Sequence, residues 1–92
     1  MTARLDLPEK LDTAAVPELI AALQAKQGSD LALDAAALRQ IGALAVQTII
    51  VAANDWQDAG HTMTFENVNA DVEQQLALLG TSAAVLTEGD IR

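Results

Sequence analysis

Hydrophobic and polar positions change period several times along the chain, and each change marks an element. Ala3, Leu5 and Leu7 alternate with Arg4 and Asp6, the pattern of a strand with one buried face, and Pro8 stops it or places it at an edge. Asp12 and Thr13 offer N-cap oxygens and Pro17 fits a first turn, so a helix is predicted from about Ala14 to Lys26. Its apolar face is Val16, Leu19, Ile20 and Leu23, and Gly28 follows as a C-cap. Leu31, Ala32 and Leu33 then form a short apolar run ending at Asp34, a buried strand.

The stretch from Leu44 to Trp56 carries Val46, Thr48, Ile49, Ile50 and Val51, residues that locally favour strand. Its length overrides them. A run of about fifteen residues closed by Gly60 exceeds the usual ~5–6 of a strand, so a long helix is predicted, with Ile49, Ile50 and Ala53 buried. His61, Met63 and Phe65 alternate with Thr62 and Thr64 as a third strand. Asn69 and Asp71 open a further helix with Val72, Leu76 and Leu79 inward and Gly80 as its stop. Ala83 to Leu86 reads as a short strand or half-turn, and Thr87 to Arg92 as a fraying end. The order strand, helix, strand, helix, strand, helix predicts an α/β domain with at least partly parallel strands.

Composition narrows the function classes. Ninety-two residues at 51% hydrophobic content make a single domain with a core. Five Lys and Arg against 13 Asp and Glu give a net charge of −8, which repels phosphate backbones and anionic lipid and disfavours nucleic-acid or membrane-surface partners. There are no cysteines, the first ten residues show no export signal, and no uninterrupted apolar run reaches the ~20 residues of a spanning helix, so a cytoplasmic location without membrane insertion is expected.

Candidate chemistry is sparse: one His, no Cys, no Tyr and no glycine-rich phosphate loop. His61 lacks a second ligand at metal spacing and reads as a surface or packing residue. Asp30 and Asp34 lie ~13 Å apart at strand rise, too far to share a proton, and suit turn or cap duty. Trp56 reads as core filling. No titratable pair, nucleophile with a base, metal cluster or phosphate cradle is visible, so neither an enzyme nor a cofactor is expected.

The central stretch resembles a STAS domain of the anti-sigma-factor-antagonist type, over nearly the whole chain. In that family a strand ending in Asp leads through a spacer and a hydrophobic position to a D-S-[SA]-G-L motif opening a long helix. Here Leu31-Ala32-Leu33-Asp34 is similar to the strand, Leu38 and Ile41 to the hydrophobic positions, and Gly42-Ala43-Leu44-Ala45-Val46 lies where the motif belongs. The flanks also match, at Leu11-Asp12-Thr13-Ala14-Ala15, at Gly60 before a strand, and at Leu76-Ala77-Leu78-Leu79-Gly80. The family's Asp falls on Gly42 and its phosphorylatable Ser or Thr on Ala43, whose methyl group has no oxygen to accept a phosphoryl group. Thr48, a turn further into the helix, is a poor kinase substrate.

The positions Asp34-Ala35, Leu38-Arg39, Ile41-Gly42 and Val46-Gln47 are also similar to a small STAS subgroup associated with bacterial chemotaxis. The resemblance implies a small mixed β-sheet of about four strands packed against three to four α-helices. It implies a non-enzymatic module, monomeric or weakly dimeric, that binds a histidine-kinase-like or anti-sigma-factor kinase partner. Arg39, Gln40, Gly42, Ala43, Leu44 and Gln47 would form the contact, and Ala43 would not be a phosphorylation switch. Regulation of a transporter ATPase and small-ligand binding are the alternatives. If Gly42, Ala43 and Ala45 are small only because strand and helix pack closely there, packing alone explains them.

Overall fold

The computed structural model describes residues 2–83. Five strands, β1 (Thr2–Asp6), β2 (Lys10–Leu11), β3 (Asp30–Asp34), β4 (Gln40–Ile41) and β5 (Met63–Glu66), alternate with three α-helices, α1 (Val16–Ala25), α2 (Ala43–Asp58) and α3 (Ala70–Leu78). The elements expected from residue 84 onward, the rest of Ala83–Leu86 and Thr87–Arg92, lie outside the described residues.

The strands do not form one mixed sheet of about four. They form a three-stranded sheet in the order β1-β3-β5 and a separate two-stranded ladder β2-β4, with every pairing parallel. The break is local. Leu7 still donates its N–H to Asp34 O, but Pro8 has no N–H to continue the ladder, and the chain turns away to pair Lys10 and Leu11 with Gln40 and Ile41. Helices join successive strands of the main sheet, as parallel pairing requires.

Alternation places Ala3, Leu5, Leu31, Leu33, Met63 and Phe65 on one sheet face, where they join the core with α1 and α2. Leu33 and Ile49 are fully buried, Leu19 and Leu23 close the α1 side, and Trp56 anchors its indole by donating Nε1–H to Ser29 O at 2.9 Å. Val72 and Leu76 of α3 complete the cluster.

Two residues expected inside lie outward, Ile20 on α1 and Leu79 just after α3. A 3.6-residue period assigns a residue to a stripe but does not say how wide the covered part of the stripe is. Ile50 is half-buried, whereas Ile49 and Ala53 are fully enclosed. The first helix also starts later than expected. Asp12 accepts the Ala15 N–H at 3.1 Å and caps a 3-10 turn, Thr13–Ala15, before the α-helix begins at Val16 with Pro17 in its first turn.

Candidate functional site

The loop from Ala35 to Gly42 leaves the C-terminal end of the central strand β3, the end at which parallel sheets commonly present their binding loops. It is fixed from both sides. Asp34 Oδ1 accepts the Ala36 N–H at 2.9 Å, an Asx turn that reverses the chain, and Leu38 is fully buried as a plug. From α3, Asn69 caps its own helix by accepting the Val72 N–H and donates Nδ2–H to Leu38 O. One turn and a half further along α3, Gln75 donates Nε2–H to Arg39 O at 2.8 Å and accepts the Ile41 N–H at 2.9 Å, so a single amide side chain satisfies a carbonyl and an N–H on the edge of β4 that faces away from β2. Glu9 O accepts from Arg39 and Gln40, and Leu11 O from Gly42.

Gln75→Ala is therefore expected to leave the part-buried Ile41 N–H without its partner and the exposed Arg39 carbonyl to water, at a cost of about 1 kcal/mol. Faster amide exchange at Ile41 than at Leu33 in the variant is the measurement. Exchange equal to wild type would show that the clamp is dispensable.

The expected contact residues come together as one exposed strip. Arg39, Gln40, Ala43, Leu44 and Gln47 are exposed and Gly42 is half-exposed, at the end of the clamped loop and on the first turns of α2. Gly42 is the N-cap of α2, has ordinary extended backbone at φ −104°, and offers no side-chain oxygen to the helix start. The close-packing explanation for small residues fails here. A Cβ on Gly42 would meet only Leu11 O, at 3.7 Å, an ordinary contact, and the Ala43 methyl already faces out. It holds for Ala45, which is buried. Thr48 is half-buried and donates its hydroxyl to Leu44 O at 2.8 Å, a bond that ties it to the helix backbone.

On the opposite sheet face, Arg4 donates to Asp34 at 2.6 Å and to Glu66 at 2.8 Å. Glu66 is two strands away, so the guanidinium crosses β3, and Ala32, paired with Arg4 in register, is the small residue beneath it. The sequence supplied the alternation but not this reach. Asp34 is only 16% exposed in its side chain. Hydrogen bonds from Asn67, from the Ala36 N–H and from Arg4 hold its carboxyl down at about 2. Asn67 takes φ +59° to make that contact, a conformation asparagine tolerates. Asp30 is lowered chiefly by the Thr62 N–H, with His61 Nδ1 at 3.6 Å. Both aspartates thus serve turns and strand ends.

A depressed folded-state pKa contributes stability above the unfolded value of ~3.9, lost as pH falls through the folded value. Asp34 should therefore give a fall in melting temperature between about pH 4 and about pH 2. Asp34→Asn should flatten that part of the curve. An unchanged slope would assign the acid loss to other carboxylates.

Sequence reasoning missed Asn69 and Gln75 as holders of the loop. Asn69 had a signal as an N-cap, whereas Gln75, on an exposed-looking helix face, had none. No helix among the described residues is long and apolar enough to cross a membrane. No family model matches the chain, and no curated protein matches it in sequence.

Proposed function

We propose that the chain is a non-enzymatic protein-interaction module of STAS type. It binds a histidine-kinase-like or anti-sigma-factor kinase partner through the loop before α2 and the first turns of that helix, in bacterial signal transduction such as chemotaxis. Ala43 stands at the family's phosphoacceptor position, so binding is not switched by phosphorylation there. One observation carries the reading. Gly42 and Ala43 form a smooth exposed strip that packing does not demand, on a loop held rigid by Asn69 and Gln75. A preformed surface loses little conformational freedom when a partner docks. The resemblance of Leu31–Asp34 and Gly42–Val46 to the family pattern, and the parallel α/β order, support the same reading.

The test is affinity capture from cell extract, followed by binding measurements on the purified partner. Arg39→Glu and Gln47→Ala should weaken binding with melting temperatures close to wild type, because both side chains are exposed. Wild-type affinity in both variants would remove this strip from the interface.

A further inference from the structure

Five large hydrophobic side chains are left exposed among the described residues, and three of them, Ile20 (41%), Leu44 (47%) and Val51 (61%), line a single groove between α1 and α2. Leu23, Ala52 and Trp56 form its buried floor, and its volume is about 420 Å³. Along α2 the wall runs Leu44, Gln47 and Thr48, Val51, Asp55, one stripe at three- and four-residue spacing. From Leu44 to Asp55 that stripe is about 16 Å long, or about three helical turns.

We propose that this groove takes an amphipathic helix of a partner protein, apolar on the face that meets Ile20, Leu44 and Val51 and bearing Lys or Arg at the end that meets Asp55. The dimensions suit the apolar side of a helix, which presents anchors at i, i+3, i+4 and i+7 to such a trough. Charge chooses the occupant. Asp55 is the charged residue in the lining, and it lies where α2 is about to end with no basic residue in its last turn, so the helix-end carbonyls add to its negative field. Lys26, at the C-cap of α1, is outside the lining. The chain as a whole is at −8, so a second copy would bring a like-charged groove to this one, whereas a basic helix is drawn in.

The proposal rests on the proposed function in that Leu44 and Gln47 belong to both surfaces, while Ala43 belongs only to the strip. The probe is a fluorescently labelled synthetic peptide of about five helical turns, Leu at three- and four-residue spacing and Lys at one end. A scrambled peptide of equal composition and a Glu-for-Lys counterpart serve as controls. The Lys peptide should bind, shift the amide resonances of Ile20, Leu44, Val51 and Asp55, and outcompete both controls. Val51→Lys, at an exposed site that leaves the fold intact by circular dichroism, should weaken it by at least about tenfold. Asp55→Lys should weaken the Lys peptide and favour the Glu-for-Lys one.

Equal binding of the scrambled peptide, shifts outside the groove, or no binding at all would overturn the proposal. So would a dimer of the chain, seen by sedimentation and dispersed by Val51→Lys, since the occupant would then be a second copy. Ala43→Asp separates the two readings. Peptide binding retained in Ala43→Asp and lost in Val51→Lys supports the groove whatever happens at the strip. Failure of the peptide, with a captured partner still sensitive to Ala43→Asp, overturns the groove and leaves the proposed function standing.

Discussion

Ile49→Ala is expected to destabilise the domain by about 2–5 kcal/mol, with the neighbouring substitutions Ile50→Ala and Val51→Ala costing progressively less. The three residues are consecutive β-branched positions on α2, yet their surroundings differ completely. Ile49 is fully buried among the core side chains, Ile50 is half-buried, and Val51 is 61% exposed. Truncating Ile49 removes apolar contacts and leaves a cavity that the sheet behind it cannot collapse to fill. At Val51 the exposed side chain has little packing to lose, and alanine is the better helix former, so the change should stay within about 0.5 kcal/mol of zero. Urea unfolding of the three variants gives the series directly. An order in which Ile50→Ala costs more than Ile49→Ala would mean that α2 is rotated by about a third of a turn from the orientation described.

That series also shows what the sequence could and could not specify. The strands of the main sheet were legible because one face is buried, and burial of one face writes itself as alternation in Ala3-Leu5-Leu7 and Met63-Phe65. α2 was legible from its length in spite of Val46, Thr48, Ile49, Ile50 and Val51, since packing on a sheet outweighs a few tenths of a kcal/mol of local preference per residue. Lys10–Leu11 and Gln40–Ile41 were not, because two residues cannot display a period, and their pairing depends on Glu9, Leu11 and Gln75 from distant parts of the chain. The strip at Arg39–Gln47 was singled out by resemblance as a candidate, whereas the long-range side-chain bonds from α3 that hold its loop are encoded in no local pattern. Ile20 was legible as apolar and misread as inward. It lines the open groove between α1 and α2, a tertiary feature that the period of one helix does not show.

Ala43→Asp should keep the fold and weaken binding of the captured partner by roughly thirty-fold or more. Ala43 is the first residue of α2, next to an N-cap that supplies no side-chain acceptor, so a carboxylate there meets the positive end of the helix and unmatched backbone N–H groups. The expected effect on stability is between zero and a gain of about 0.3–1 kcal/mol. Its methyl group is exposed, so no packed neighbour has to move. Binding has a different balance. A partner seated over Gly42, Ala43 and Leu44 must strip water from the new carboxylate or stand away from the strip, and leaving such a charge unpaired costs about 2–5 kcal/mol, roughly thirty-fold or more in affinity. Ala43→Ser supplies the contrast, because a hydroxyl is small and can bond to a backbone N–H of the first turn, so its affinity should stay near wild type. Titration of the captured partner with wild type, Ala43→Asp and Ala43→Ser, beside circular dichroism of each, reads both quantities. A folded Ala43→Asp with undiminished affinity would place the contact elsewhere on the surface, and the small residues at the start of α2 would then lack a role in binding.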